Sequence, residues 1–327
     1  MSYPSSHFKL VSLLSDGAYH SGEDLAKNLS ISRTAVWKKI CKLREYGLEI
    51  HSVHGKGYRL QNPVECLDKR KIMSGIPPGI KNSLSCLSIF EKIESTNQFL
   101  TDKLGTPDFH AHAVLAEYQS GGRGRRGNSW YSPAASGIYL SLGWNFDLPP
   151  NPPGILSIAA GVAVIRALHK SGIYDAGLKW PNDILWQDRK LGGILMEMRT
   201  EIAGPASAII GIGLNYAIHA DSLSVIDQPW TDIVSIQQDA ISRNRITGIL
   251  IGEVLMTLAE MEKTGTSGLI EEWRVHDCMV GREARLLIAG KSITGVVNGI
   301  DTDGSLLFQM NGQVHKYQSG EISLRKK

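Results

Sequence analysis

Residues 116–130 of this 327-residue chain read A-E-Y-Q-S-G-G-R-G-R-R-G-N-S-W. Three of the four glycines fit the pattern G-x-G-x-x-G, which in dinucleotide-binding proteins joins a strand to a helix whose N-terminus holds a pyrophosphate. A strand pattern does precede the motif, at residues 113–118. The residues that follow it predict a second strand, at 138–142, and no helix. The sequence therefore excludes a Rossmann fold here and leaves a basic, glycine-rich loop between two strands.

The composition of this loop favours the binding of an anion. It carries Arg123, Arg125 and Arg126 among its four glycines. Glycines allow backbone N–H groups to approach a ligand, and guanidinium groups hold phosphate or carboxylate in a forked geometry. A solvated basic loop is the alternative interpretation. No Walker A pattern occurs in the chain, so a P-loop nucleotide site is excluded.

Two lysines lie in the strand patterns that follow. L-K-W-P-N-D-I-L-W (residues 178–186) and Q-D-R-K-L-G-G-I-L-M-E-M (residues 187–198) predict a hairpin. Lys179 and Lys190 are flanked by apolar residues or glycine, so either ammonium group can point inward, where a cation needs an anionic ligand. The alternative is a surface lysine with a buried stem. Asp183 is a candidate to hold a metal or to orient an amine.

Helical and strand patterns alternate through the middle of the chain. Helices are predicted at residues 153–169 and 246–263, and the apolar run 209–215 predicts a strand that ends in Asn215. Such mixing predicts a central α/β domain. From about residue 276 onward the pattern changes to five short strands separated by turn residues, which predicts a small SH3-like β-barrel.

The first 62 residues predict a small DNA-binding module. Ser21 and Ser32 are suited to cap two short helices, of which the second spans residues 33–46. An alternating run at 48–53 and a return strand at 58–60 predict a hairpin after the helices. Two helices joined by a short turn and followed by a hairpin make a winged helix-turn-helix.

The charge distribution agrees with a nucleic-acid partner for this segment. Residues 1–62 carry nine Lys and Arg against five Asp and Glu, whereas the remaining 265 carry 26 against 27. The positive excess therefore lies in the first fifth of the chain. The expected phosphate contacts are Lys38, Lys42 and Lys56, and the expected base contacts are Arg33, Thr34 and Trp37. The alternative is a helical domain with a solvated basic face.

Composition excludes several classes of protein. Hydrophobic residues make up 42% of the chain and charged residues 20%, which is incompatible with disorder. The longest nearly uncharged apolar stretch, 154–165, is too short to span a bilayer, and the N-terminal residues lack the apolar core of a signal peptide. Four distant cysteines without a C-x-x-C pattern encode neither a zinc site nor a disulfide framework. A reduced, cytoplasmic protein is expected.

Six separated motifs together resemble one family, the biotin protein ligases. In chain order they are E-S-T-N (94–97), Q-S-G-G-R-G-R-R-G (119–127), K-W-P-N-D (179–183), R-K-L-G-G-I-L (189–195), G-I-G-L-N (211–215) and G-E-I-S-L-R (320–325). The N-terminal S-G-E-D-L-A, S-R-T-A-V-W-K-K-I and H-G-K-G-Y resemble the bifunctional branch of that family, which also represses the biotin operon. The expected fold is α+β and multidomain, with a winged helix-turn-helix at 1–63, a mixed α/β catalytic domain at 64–275 and an SH3-like β-barrel at 276–327.

The resemblance implies an ATP-dependent, AMP-forming ligase. Such enzymes join the carboxylate of biotin to the α-phosphate of ATP, giving biotinyl-5′-AMP and pyrophosphate. They then transfer the biotinyl group to a lysine of the biotin carboxyl carrier protein of acetyl-CoA carboxylase. Use of ATP implies Mg²⁺, whose ligands the sequence leaves open. In the bifunctional branch, biotinyl-5′-AMP is also the corepressor, and a homodimer binds operator DNA to repress biotin synthesis genes.

The resemblance also implies roles for particular residues. Those expected to border biotin are Ser95, Thr96, Asn97, Gln119, Arg123, Gly124, Arg125 and Lys190. Those expected nearer the nucleotide are Lys179, Asn215 and Trp230, the last as a cover for the adenine. The first step brings two anions together and so requires dense positive charge. The expected catalytic set is Lys190, Lys179, Arg125 and Asp183.

Two other classes of protein share parts of this pattern. A transcription factor that only senses biotin would keep the winged helix but lack the cationic site, which the arginines and lysines named above argue against. A lipoate ligase would share the catalytic fold, but the loop at 119–127 favours biotin. Acid-dependent exchange between ATP and pyrophosphate distinguishes the three.

Overall fold

The computed structural model describes residues 6–200, 205–218, 226, 228–237, 241–288, 291–318 and 322–326. Its N-terminal part contains three helices and a hairpin. These elements are α1 (Ser6–Leu14), α2 (Gly22–Leu29), α3 (Arg33–Glu45), β1 (Ile50–Val53) and β2 (Gly57–Leu60). The predicted winged helix-turn-helix is confirmed, and α1 is an addition to the predicted elements.

Both predicted caps close their helices. Ser21 Oγ accepts a hydrogen bond from the backbone N–H of Asp24 at 3.0 Å, and Ser32 Oγ accepts one from Ala35 at 3.2 Å. Such caps satisfy backbone donors that have no partner inside the helix. The buried side of α3 consists of the three apolar positions with helical spacing, Val36, Ile40 and Leu43. The opposite side of α3, with its cations, therefore faces outward.

The central part is a seven-stranded mixed sheet with helices. Its elements are α4 (Lys69–Gly75), α5 (Pro78–Lys81), β3 (Cys86–Ile93), α6 (Thr96–Thr101), β4 (His112–Gln119), β5 (Gly137–Phe146), α7 (Ile155–Lys170), β6 (Ala176–Lys179), β7 (Asp183–Trp186), β8 (Arg189–Thr200), β9 (Ala206–Asn215), α8 (Ile233–Ile236), α9 (Arg243–Thr264) and α10 (Ser267–Val275). The strand order is β3-β4-β5-β9-β8-β7-β6. Only the β3–β4 pair is parallel. The predicted α/β domain is confirmed.

Short turns make one edge of this sheet an antiparallel meander. Strands β7 and β8 are joined by Gln187 and Asp188, whose φ angles of 47° and 62° are those of a tight hairpin turn. Strands β6 and β7 pair so that Lys179 lies opposite Asp183. The predicted hairpin is confirmed, and its register brings the lysine and the carboxylate together.

Helix α7 forms the centre of the hydrophobic core. It is buried along most of its length because it packs against α9, α10 and strands β6 and β8. Burial on all sides explains its nearly uninterrupted apolar sequence. In the described part of the chain, no helix is both long and apolar enough to cross a membrane.

The C-terminal part is a five-stranded antiparallel sheet that resembles an SH3-like barrel. Its strands are β10 (Glu283–Ile288), β11 (Lys291–Ile300), β12 (Leu306–Met310), β13 (Gln313–Tyr317) and β14 (Ile322–Lys326), in the order β13-β12-β11-β10-β14. The turn between β11 and β12 contacts the central domain, because the buried indole of Trp180 donates a hydrogen bond to the Gly304 carbonyl at 3.0 Å.

The N-terminal domain packs directly on the central domain. Tyr46, at the end of α3, stacks on Tyr118 with ring centroids 4.5 Å apart, and its carbonyl accepts a hydrogen bond from Ala134 at 2.8 Å. Gly47 has φ of +90°, and a Cβ there would lie 2.7 Å from Pro133. Glycine is therefore required at this contact. The two domains expected on either side of residue 63 are therefore in direct contact.

The chain after residue 63 is fixed by a buried ion pair. Arg243 has no exposed side-chain surface and its Nη1 lies 2.6 Å from Oε2 of Glu117. The same guanidinium donates to the carbonyls of Gly137 and Glu65, and the other oxygen of Glu117 accepts from the N–H of Leu67. A buried charge requires such partners. One ion pair thus joins the segment after the winged helix to β4, β5 and α9.

Candidate active site

One cavity of about 710 Å³ lies over the strand ends between the glycine-arginine loop and the hairpin β6–β7–β8. Its wall also includes the C-terminal end of α3 and the residues that follow it, 44–47. All twelve residues predicted to touch biotin, nucleotide or the reacting groups line this cavity: Ser95, Thr96, Asn97, Gln119, Arg123, Gly124, Arg125, Lys179, Asp183, Lys190, Asn215 and Trp230. The role of each one stays a prediction.

Asp183 lies between the two lysines. Its Oδ1 is 2.7 Å from Nζ of Lys190 and its Oδ2 is 3.2 Å from Nζ of Lys179. All three side chains are less than a fifth exposed. One carboxylate therefore neutralises half of the charge of two ammonium groups, and the centre keeps a net charge of about +1. Of the two orientations that the sequence leaves open for these lysines, the structure shows the inward one.

The ionisation of Asp183 follows from these contacts. Burial raises the pKa of the carboxyl, but Lys190 and then Lys179 outweigh burial and hold the pKa below its ordinary value of 3.8. The carboxylate is therefore charged at neutral pH. Arg125 lies nearby; burial lowers the pKa of its guanidinium while Asp183 opposes the shift. A guanidinium remains charged under these conditions.

Lys190 is also held through its backbone. Its N–H donates to the carbonyl of Pro229 at 2.9 Å, and its carbonyl accepts from Thr231 at 3.0 Å and from Asn215 Nδ2 at 3.2 Å. The same amide nitrogen of Asn215 donates to the carbonyl of Thr231. Trp230 is thereby fixed beside Lys190. Among the described residues its buried indole N–H has no partner, so it can donate to a ligand.

A neutral hydrogen-bonding set forms the other end of the cavity, where α6 begins. Ser95 caps α6 by accepting from Gln98 N–H at 3.4 Å, and Thr96 and Asn97 in the first turn are both buried. Close approach of this turn to β9 needs a glycine, since a Cβ at Gly211 would lie 2.3 Å from Asn97 Oδ1. The start of α6 thus presents buried polar side chains to the cavity.

These polar groups satisfy one another in a chain. Ser141 Oγ lies 2.7 Å from Thr96 Oγ1 and 2.5 Å from Asn97 Oδ1, and its single proton is donated to the amide oxygen, which can only accept. Gln119 Oε1 accepts from the N–H of Thr96 at 2.8 Å, and Gln119 Nε2 donates to Ser132 Oγ at 3.0 Å. Fixed donors and acceptors in a buried wall are suited to orienting a neutral polar ligand.

The glycine-arginine loop covers the space between these two ends. Arg125 Nη1 donates to Asn182 Oδ1 at 3.3 Å on the hairpin side. Arg123 Nη2 lies 3.2 Å from Oε2 of Glu197 on the sheet side. A Cβ at Gly122 would lie 2.4 Å from the carbonyl of Trp130, so the loop passes close to its own return strand. The two arginines of the glycine-arginine loop therefore bond to different partners, Arg125 to Asn182 and Arg123 to Glu197.

Three polar residues at the site were not singled out from the sequence. They are Ser141, Asn182 and Glu197. Ser141 could have been recognised from the sequence, because it is the polar residue in the hydrophobic strand I-Y-L-S-L, all of whose residues are buried. Asn182 lies inside a quoted motif. Glu197 could not have been recognised, since a carboxylate in a strand of alternating polar and apolar residues is compatible with exposure to solvent.

The expected DNA contacts divide into two groups. Arg33, Thr34, Trp37 and Lys38 are exposed on α3, and Lys56 is exposed at the tip of the hairpin. Lys42 differs, because its ammonium pairs with Glu45 and lies 5.5 Å from the centre of the Tyr46 ring. Lys42 is thus already engaged within the protein, at the end of α3 that faces the central domain.

Comparisons with known protein families agree with these three parts. The family model of the biotin/lipoate A/B protein ligases matches residues 89–215, an HTH domain model matches 7–59, and the model of the biotin protein ligase C-terminal domain matches 280–325. A structure of biotin protein ligase from Aquifex aeolicus in complex with biotin and ATP superposes with a TM-score of 0.63 at 25% identity, covering 74% of this chain and 99% of that one.

Curated relatives decide the family. The bifunctional ligase/repressor BirA of Escherichia coli is 37% identical over 97% of this chain and 96% of its own length. The chain belongs to the BirA family. The BirA of Bacillus subtilis is 29% identical over 93% of both chains. As a BirA-family member, the chain is a biotin protein ligase with a helix-turn-helix repressor domain. The sensor-only and lipoate-ligase alternatives are rejected.

Replacing Lys190 with Ala should slow formation of the biotinyl adenylate in this BirA-family chain by a factor on the order of 100, because one preorganised cation is removed. Folding stability should fall far less than the adenylation rate, since Lys179 still pairs with Asp183. Rapid-quench measurement of biotinyl-AMP, with thermal unfolding in parallel, checks both. Lys103→Ala, which removes an exposed ion pair with Asp108, is the control. An unchanged adenylation rate in Lys190→Ala would contradict the role of Lys190.

Proposed function

We propose that this cavity binds biotin at the Thr96–Asn97 end and ATP beside Lys179, so that the biotin carboxylate and the α-phosphate meet at Lys179, Asp183 and Lys190. One observation carries the proposal. A compact centre with a net positive charge and a neutral hydrogen-bonding wall share a single cavity. The centre is suited to two anions that must approach each other, and the wall to the cyclic urea of biotin.

The proposed reaction has two steps. In the first, a carboxylate oxygen of biotin attacks the α-phosphorus of ATP, an acyl–phosphate bond forms, and pyrophosphate leaves with the electrons of the broken P–O bond. In the second, the amine of an acceptor lysine attacks the acyl carbon, the bond between that carbon and the phosphate oxygen breaks, AMP leaves with its electrons, and the nitrogen loses a proton to water. Lys190 and Arg125 stabilise the charge on the phosphorus oxygens, and Asp183 holds the lysine amines in place.

Magnesium enters with ATP. Among the described residues no group of three or more histidine, cysteine or acidic side chains is arranged to hold a metal ion. This fits Mg²⁺ in a nucleotide site, because that ion usually takes one or two carboxylates and completes its shell with phosphate and water. Both oxygens of Asp183 are taken by Lys190 and Lys179, so the phosphates of ATP are the ligands that bring the ion to the site. When bound, the ion neutralises phosphate charge.

We further propose the division of the chain at residues 63 and 275 and the partners that follow from it. The acceptor is a lysine of the biotin carboxyl carrier protein, and the DNA partner is an operator that controls biotin synthesis. We also propose a cytoplasmic location, since the four cysteines of the chain are free and both proposed macromolecular partners are intracellular. The relatives named ligase/repressor support this pairing of functions.

Lys38→Ala combined with Lys56→Ala should weaken binding to a mixed-sequence DNA duplex and flatten its dependence on salt by roughly 0.9 for each phosphate that is no longer neutralised. Adenylation should persist, because both side chains are exposed and neither lines the cavity. Fluorescence anisotropy at several salt concentrations measures the slope. Lys103→Ala with Lys263→Ala removes the same charge elsewhere and is the matched control. An unaltered slope in the first variant would contradict the assignment of α3 and the hairpin.

We also propose that the chain acts on DNA as a homodimer and that biotinyl-AMP promotes its assembly. Two-fold symmetry would place two recognition helices on two half-sites. The loop 121–127, with four glycines and three like charges, should be mobile without ligand and should order around the adenylate. If the ordered loop contributes to the dimer surface, adenylate strengthens dimerisation, and by linkage dimerisation strengthens adenylate binding by the same factor.

Sedimentation with and without biotinyl-AMP should therefore show tighter dimerisation in its presence. Trypsin, which cleaves after arginine, should cut the loop more slowly when the adenylate is bound. Biotin alone, which lacks the phosphate, is the comparison ligand. Equal dimerisation in all states would refute the coupling, even where ligation and DNA binding are intact.

A further inference from the structure

Glu197 has no part in the roles given so far, although it lies beside the cavity. It belongs to β8, opposite Ile209 of β9. A single oxygen of its carboxylate, Oε2, accepts from two different residues. Asn97 Nδ2 lies 2.7 Å away, and Arg123 Nη2 lies 3.2 Å away. One residue belongs to the wall of the cavity and the other to the loop that covers it.

For Asn97, the carboxylate fixes the orientation of the amide. An ionised carboxylate can only accept hydrogen bonds, so the amide nitrogen of Asn97 must face Glu197. The amide oxygen then faces Ser141 Oγ, which donates to it at 2.5 Å. Asn97 is buried, with 4% of its surface exposed, and β9 packs tightly against it at Gly211. Removal of the carboxylate would leave a buried amide without its charged partner.

For Arg123, the carboxylate is a counter-ion on the sheet side of the cavity. Arg125, two residues further along the loop, instead bonds to Asn182 on the hairpin side, and the charge of Asp183 acts on it. The two arginines therefore have different partners. Arg123 is directed to Glu197, and Arg125 is directed to the lysine–carboxylate centre.

We infer that Glu197 is a positioning residue. Its Oε2 atom holds the glycine-arginine loop through Arg123, and the same atom orients the amide of Asn97. Closure of the loop over bound adenylate then depends on an ordered Asn97, and an intermediate is retained only when both contacts are made. This inference rests on the proposed function of the cavity and adds to it the residue that controls retention of the intermediate.

Two substitutions separate the contacts. Glu197→Gln keeps an oxygen that accepts from Asn97 but removes the charge that holds Arg123. Release of biotinyl-AMP should become about 5-fold faster, as expected for a partly exposed ion pair, while the Kd for biotin changes less than about 2-fold. Glu197→Ala removes both contacts, so release should quicken and the Kd for biotin should also rise by about 10-fold.

A double-mutant cycle shows whether Glu197 acts through Arg123. In an Arg123→Ala background, Glu197→Gln should have no further effect on release of the adenylate. Glu271→Gln, which breaks an exposed pair with Arg274 outside the cavity, is the matched control and should behave as the unchanged protein. Thermal unfolding of every variant confirms folding, and the partly exposed site of Glu197 tolerates Gln.

Measured release and biotin affinity decide the inference. Faster release in Glu197→Gln with unchanged biotin affinity, abolished in the Arg123→Ala background, supports it. Additive effects in the cycle, or equal changes in release and in biotin affinity, overturn it. If the unchanged protein fails to form biotinyl-AMP at all, the proposed function fails instead, so the two failures are distinguishable.

Discussion

The proposed chemistry of this protein depends on one carboxylate between two ammonium groups. Two lysines at the floor of a cavity repel each other, and each is costly to bury. Asp183 offsets both effects, since its two oxygens contact the two amines separately at 2.7 and 3.2 Å. The centre keeps one net positive charge in a partly dry site, where charge acts more strongly than in water. The two ammonium groups are thus already in position when an anion binds.

The rest of the fold keeps this centre in place from three sides. The tight turn at Gln187–Asp188 sets the register of the hairpin that carries Lys190. The C-terminal sheet holds the segment that follows Lys179, because Trp180 donates to the carbonyl of Gly304. The N-terminal domain contributes the end of its recognition helix to the cavity wall. Each of the three parts of the chain therefore forms part of one ligand site.

The contact between the winged helix and the central domain bears on regulation. Tyr46 ends the recognition helix and stacks on Tyr118, which directly precedes Gln119 and the glycine-arginine loop. The buried pair of Arg243 and Glu117 fixes the chain on the other side of the same junction. The helix-turn-helix domain and the cavity are thus neighbours in the structure, although the sequence predicts separate domains on either side of residue 63.

Local features could be predicted from the sequence, and distant contacts could not. The caps Ser21 and Ser32, the hairpin after α3 and the turn before Lys190 each depend on neighbouring residues, so their patterns were sufficient. Glu197 meets Asn97 across 100 residues of chain, and this contact depends on β9 lying between β5 and β8. Strand order of this kind leaves no local pattern. The resemblance to a family, rather than residue spacing, brought the twelve cavity residues together.

The titration of Asp183 tests the central claim most directly. In ligand-free protein labelled with ¹³C at the aspartate carboxyl carbons, the signal that disappears in Asp183→Asn identifies this group. We expect its pKa to lie below the ordinary value of 3.8, because the two ammonium groups outweigh burial. In Lys190→Ala the pKa should rise. A carboxyl that titrates at or above its ordinary pKa in the unchanged protein would contradict the account, since the lysines would then not be held by a charged partner.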